Sequence, residues 1–139
     1  MKLFVAELGS ATMISLTERT EDRLKVVSAL TFVEVRSAIR RRERSEELTK
    51  PNAEQAVLAI SQEAQRLVEQ PITARVLSEA TAVIDRRAIR SLDALQLATA
   101  IVTREMDPAH QGLVFVCSDE RLLEAAVAEG FVVLNPELP

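Results

Sequence analysis

The sequence predicts an α/β fold in which a mostly parallel sheet carries helices on both faces. Three observations point there. Short apolar runs rich in Val recur without polar alternation, as strands buried on both faces require. Between them lie longer segments with helical spacing of apolar residues. Gly, Pro and capping residues mark the joints between the two kinds of segment.

Residues 24–29 (LKVVSA) read as the first buried strand, with Val26 and Val27 β-branched. Residues 30–44 follow as a helix: Phe32, Val35 and Ile39 recur at helical spacing, and the arginine-rich end suits the negative pole of the helix dipole. Pro51-Asn52 reads as a turn. Residues 53–69 form the clearest amphipathic helix, with Ala53, Ala56, Val57, Ile60, Ala64, Leu67 and Val68 on one stripe, and Pro71 ends it. Thr73 caps a helix running to about residue 87, with Val76, Leu77, Ala80, Val83 and Ile84 inward. Ser91 caps the next, residues 92–105, which carries Leu95, Ala98, Ile101 and Val102 and stops at Asp107-Pro108. Residues 113–117 (LVFVC) are a second buried strand, running through Ser118-Asp119 into a helix over 120–129 that Gly130 closes. Residues 131–134 (FVVL) are the last strand.

The 139 residues make one domain on length alone, and 47% hydrophobic residues are enough for a core. The single cysteine, Cys117, supports neither a disulfide framework nor a zinc site and reads as a small core residue. The start MKLFVAE has no basic region followed by a long apolar run, so no signal peptide is expected. No apolar stretch approaches the roughly 20 residues of a membrane span. A cytoplasmic location follows as the expectation. The net charge of -4 counts against a strongly basic nucleic-acid surface, yet Arg36, Arg40, Arg41, Arg42 and Arg44 cluster, as do Arg86, Arg87 and Arg90. With no Trp and no Tyr, a base-stacking platform is not expected, so nucleic acid would be held by its backbone.

In parallel α/β sheets ligands bind at the carboxyl ends of the strands. Three acids map there: Asp119 at the end of LVFVC, Glu34 in the first turns after LKVVSA, and Asp93 in the first turn of its helix. An all-oxygen cluster without nearby His or Cys suits a hard divalent cation acting on a phosphodiester. It does not suit a nucleophilic triad, since the only histidine, His110, falls in a loop. Each acid also has a plainer reading. Thr31-x-x-Glu34 is a capping-box pattern, Asp93 favours its helix dipole, and Ser118-Asp119 is an N-cap pair. The apolar surroundings of Glu34 (TFVEV) and Asp93 (SLDALQLA) weigh the other way, because a carboxylate near a core is costly unless paired. The arginine run is more often a solvated helix end than a phosphate site.

The segments VVSALTFVEVRSAIRRRE, LDALQLATAIV and LVFVCSDERLLEAA, in this order and spacing, resemble PIN-domain proteins, and among these the VapC-type toxins of toxin–antitoxin pairs. The resemblance covers residues 2–136. It implies a three-layer α/β/α sandwich and Mg²⁺- or Mn²⁺-dependent endoribonuclease cleavage leaving a 5′-phosphate. It further implies metal-holding catalytic acids at Glu34, Asp93 and Asp119, with Ser118 in support. Beside these, Thr31 is expected as a second supporting residue, and Arg36, Arg40 and Arg41 as the arginines against the RNA backbone. The implied partners are RNA, a cognate antitoxin and a second copy of the chain. One departure stands out. The family's first strand carries an acid, in a pattern like LDTSALVKL(F/Y)VxExGS, whereas MKLFVAELGS matches only its second half. The first strand and its Asp are therefore expected to be absent, with Glu7 in the helix that follows, metal binding weaker than in intact relatives and little or no nuclease activity without that strand. One explanation is that Met1 is internal to a longer protein; another is that residues 1–5 acting as a strand, or a second protomer, refill the gap. The competing reading is a catalytically inactive PIN-like module that binds an antitoxin or itself. A phosphoacceptor domain ranks below both, because its expected Asp pair after a first strand is not visible.

Overall fold

The computed structural model describes residues 25–106 and 112–138. The expected strand at residues 1–5, Glu7, the Asp107-Pro108 stop and His110 lie outside them. The chain divides into two compact units, Met1–Glu69 and Gln70–Pro139. The described elements are helices with short strands, an α/β chain as expected.

In the first unit, β1 (Val26–Ser28) leads into α1 (Leu30–Arg44). Ser28 is buried, and its Oγ accepts from Leu30 N at 3.2 Å, turning the chain into the helix. The helix ends in a Schellman closure: Glu47 N donates to Arg42 O and Glu46 N to Glu43 O, with Glu46 in the left-handed region at φ 62. α2 (Lys50–Ala64) starts one turn earlier than the sequence suggested. Thr49 Oγ1 accepts from Asn52 N at 3.3 Å, and Pro51 sits inside the first turn rather than in a turn before it. Its missing N–H costs nothing there, because first-turn donors have no intrahelical partner. Ile39 packs against Ala53, Ala56 and Ile60, with Phe32 and Val35 at the edge.

α2 also stops five residues sooner than expected. After Ala64 the chain tightens through i→i−3 bonds from Gln65, Arg66 and Leu67, and residues Val68–Gln70 form β2. Val68 N donates to Lys25 O at 2.9 Å, and β2 pairs with β1. Pairing with a distant segment outweighed the local helical pattern.

In the second unit, α3 (Ala74–Arg86) and α4 (Ser91–Met106) pack face to face. Thr73 Oγ1 caps α3 by accepting from Val76 N at 3.2 Å, as its sequence position suggested. Val76, Ala80 and Val83 meet Ala94, Leu97, Ala98, Ile101 and Val102 in one core. Leu77 and Ile84, expected inward, are exposed: they flank the stripe that α4 covers. β3 (Val114–Val116) and β4 (Val132–Leu134) pair in parallel, Phe115 opposite Val133, and α5 (Glu120–Ala128) connects them. This is a βαβ crossover. Phe115 and Val133 face the helical core, whereas Val114, Val116 and Val132 on the other face are exposed. These strands are thus buried on one face, not on both as their apolar runs suggested. α5 also ends in a Schellman closure, Phe131 N to Ala126 O and Gly130 N to Val127 O, with Gly130 at φ 87.

Candidate active site

Two helix N-termini carry the acids of the second unit. α4 begins at Arg90-Ser91-Leu92-Asp93. Arg90 O accepts the first helical bond, from Ala94 N at 2.8 Å, and Asp93 sits in the first turn. The carboxyl end of β3 delivers Asp119 as the N-cap of α5, its Oδ1 accepting from Leu122 N at 2.9 Å. The plain capping reading of Asp119 is therefore correct as far as Oδ1 goes. Its other oxygen does something else.

Arg90 joins the two acids. Its Nε donates to Asp93 Oδ2 at 3.2 Å, and its Nη2 lies 3.8 Å from Asp119 Oδ2. The Arg90 side chain is 81% exposed, against 22% for Asp93 and 41% for Asp119. Such exposed contacts are worth on the order of 1 kcal/mol or less each. The guanidinium therefore marks where two carboxylates converge but holds them weakly.

Cys117 lies half-buried beside them, its Sγ accepting from Asp119 N at 3.2 Å. Burial pushes its thiol above the ordinary range. The carboxylates of Asp119 and Asp93 add to this, and the backbone bond from Asp119 opposes it. The thiol keeps its proton at neutral pH and packs against the core, as the sequence reading held. Ser118 stands between Cys117 and Asp119 at the strand's end.

Glu34 and Thr31 belong to the first unit, on α1. The capping-box reading of Thr31 and Glu34 does not hold. The N-cap is Ala29, in helical conformation and without a side-chain cap, so Thr31 lies inside the helix. Among the described residues, no group of three or more His, Cys, Asp or Glu side chains is arranged to hold a metal ion.

The arginines divide into two kinds. Arg40 is engaged by Glu43 at 2.7 Å and Glu54 at 2.9 Å. Arg36 and Arg41 are exposed and make no ion pair among the described residues. Arg86 and Arg87 do not join Arg90 in a positive patch, as their sequence clustering suggested. Arg86 binds Glu79 and Glu129, each at 2.7 Å, and Arg87 also reaches Glu129. Arg86, with Arg75 at Glu79 and Arg87 at Glu129, holds the carboxyls of Glu79 and Glu129 below the usual range.

The PIN domain family model matches residues 5–128, most of the chain and both units. The chain belongs to the PIN-domain family. PIN domains are generally nucleases, typically use divalent metal ions and are associated with RNA. No curated protein and no solved structure matches the chain. No described helix of this PIN domain is long and apolar enough to cross a membrane.

By donor chemistry alone, Asp93 and Asp119 are the pair that would suit a hard divalent cation: their donors are oxygens, the adjacent Cys117 thiol is pushed up by burial, and a positive group already stands against both carboxylates. Mg²⁺ commonly uses one or two carboxylates and keeps several waters. Sequence reasoning missed Arg90 as part of this site. The i,i+3 spacing of Arg90 and Asp93 was a readable signal. Its reach to Asp119, 29 positions away in sequence (119 − 90), was not.

Proposed function

We propose that this PIN domain is a metal-dependent endoribonuclease of the VapC toxin type, hydrolysing RNA phosphodiesters to leave a 5′-phosphate. The observation that carries the reading is the approach of Asp93 and Asp119 to a single cationic group at the carboxyl end of β3. In this reading the two units form one domain, a three-layer α/β/α sandwich. Asp93, Asp119 and Glu34 are its metal-holding acids. A bound Mg²⁺ or Mn²⁺ supplies charge neutralisation at the phosphate and an acidified water. Asp119 contributes Oδ2 while Oδ1 keeps α5 capped, which fixes the carboxylate's direction. Asp93 is oriented by the first turn of α4. Ser118 and Thr31 support the acids by hydrogen bonding. Arg36 and Arg41 contact the RNA backbone from α1; Arg40, held by two glutamates, is less available for that role. A cognate antitoxin, a homodimer and a cytoplasmic location go with this reading.

A second reading, an inactive PIN module that binds an antitoxin or another copy, is favoured by one observation: a positive side chain, Arg90, already stands against Asp93 and Asp119. RNA cleavage with Mg²⁺ or Mn²⁺, wild type against Asp93→Asn, separates the two. Cleavage that needs metal and is lost in Asp93→Asn supports the nuclease. No cleavage by either protein supports the binding module.

A further inference from the structure

Arg90 occupies a place that local helix physics disfavours. Its carbonyl accepts the first hydrogen bond of α4, so it stands at the N-cap. Ser, Thr, Asp and Asn are preferred there, and the positive pole of the helix repels a cation. The helix therefore gives no reason for an arginine at this point. The two carboxylates do: Nε meets Asp93 Oδ2 and Nη2 approaches Asp119 Oδ2. Two acids brought together at adjoining helix starts would otherwise repel each other. A guanidinium matches paired carboxylates through its planar fork of donors.

We infer that Arg90 is the resident counter-ion of the cation site, so that its guanidinium and an incoming divalent cation compete for Asp93 and Asp119. This rests on the proposed role of those two acids as metal ligands. Arg90 offsets part of the carboxylates' mutual repulsion while no metal is bound. Its high exposure gives the side chain room to swing into solvent when a doubly charged ion replaces it. Its contacts are weak enough to yield, because exposed ion pairs are screened and entropically costly.

Binding of Mn²⁺ by the full chain, followed as loss of the free-ion EPR signal, tests this without reference to cleavage. Arg90→Gln is expected to bind Mn²⁺ roughly three- to tenfold tighter than wild type, the range for losing two exposed competing pairs. That advantage should shrink as salt rises, since screening weakens the competitor. Arg75→Gln removes the same charge from Glu79 and Glu105, outside the site, and is expected to leave affinity within about twofold of wild type. Asp93→Asn tests the underlying reading separately and is expected to weaken binding. If Asp93→Asn weakens binding but Arg90→Gln does not tighten it, the counter-ion role is overturned and the metal reading stands. The same holds if Arg75→Gln tightens binding as much as Arg90→Gln. If Asp93→Asn leaves affinity unchanged, the metal reading fails and the counter-ion role fails with it. Circular dichroism of each variant confirms the fold, which the exposure of Arg90 should leave intact.

Discussion

Asp119 has two jobs on its two oxygens, and paired substitutions should separate them. Oδ1 accepts from Leu122 N at 2.9 Å and caps α5, while Oδ2 faces Arg90. Asp119→Ala removes both. Leu122 is 5% exposed, so its orphaned amide would be poorly rehydrated. Loss of a cap of this kind costs about 1–2 kcal/mol. For a chain of this size that lowers the melting temperature by about 3–6 °C. α5 has nine residues and carries the crossover between β3 and β4, which leaves few other bonds to absorb the loss. Asp119→Asn keeps an oxygen for Leu122 N and removes only the charge. It should lie within about 0.5 kcal/mol of wild type. Cation binding should fall in both variants. Urea and thermal unfolding followed by far-UV circular dichroism are the suitable assays, since the chain has no Trp and no Tyr. Equal destabilisation by Ala and Asn, or none by Ala, would refute the capping argument. Undiminished Mn²⁺ affinity in Asp119→Asn would refute the second job.

Further outcomes follow from the ion pairs and helix ends. Glu79 and Glu129 have carboxyls lowered from the ordinary 4.5, chiefly by hydrogen bonds from Arg86. Their contribution is present above pH 4.5 and lost as pH falls through the depressed values. Stability measured from pH 6 downward should therefore drop below about pH 4.5, and Glu129→Gln should flatten that drop. A slope unchanged in Glu129→Gln would contradict the assignment. The two Schellman closures make opposite predictions. Gly130→Ala should cost about 1 kcal/mol, because φ 87 strains an L residue although its Cβ would meet only Arg104 Nη1 at 3.6 Å. Glu46→Gly should stabilise by about 1 kcal/mol, because φ 62 is already strained there. Urea midpoints moving the same way in both would exclude this account.

Local chemistry made much of this protein readable in advance. The bounds of α1, the Thr73 cap, the buried stripe Val76, Ala80 and Val83, and the Gly130 closure all depend on residues within a turn or two of each other. Short-range sterics and hydrogen bonding decide such features, and a sequence displays them directly. The family could also be recognised, because its motifs are contiguous stretches. What only the tertiary structure decided involves partners far apart along the chain. β2 exists because Val68 finds Lys25, and the exposed face of β3 follows from which side the helices cover. Arg86 and Arg87 both pair with Glu129, 43 and 42 positions away. Arg90 reaches Asp119 across a strand and a helix. A run of arginines reads as a positive surface until folding shows which carboxylates it meets. The energy of each such contact depends on a distance that sequence separation does not encode.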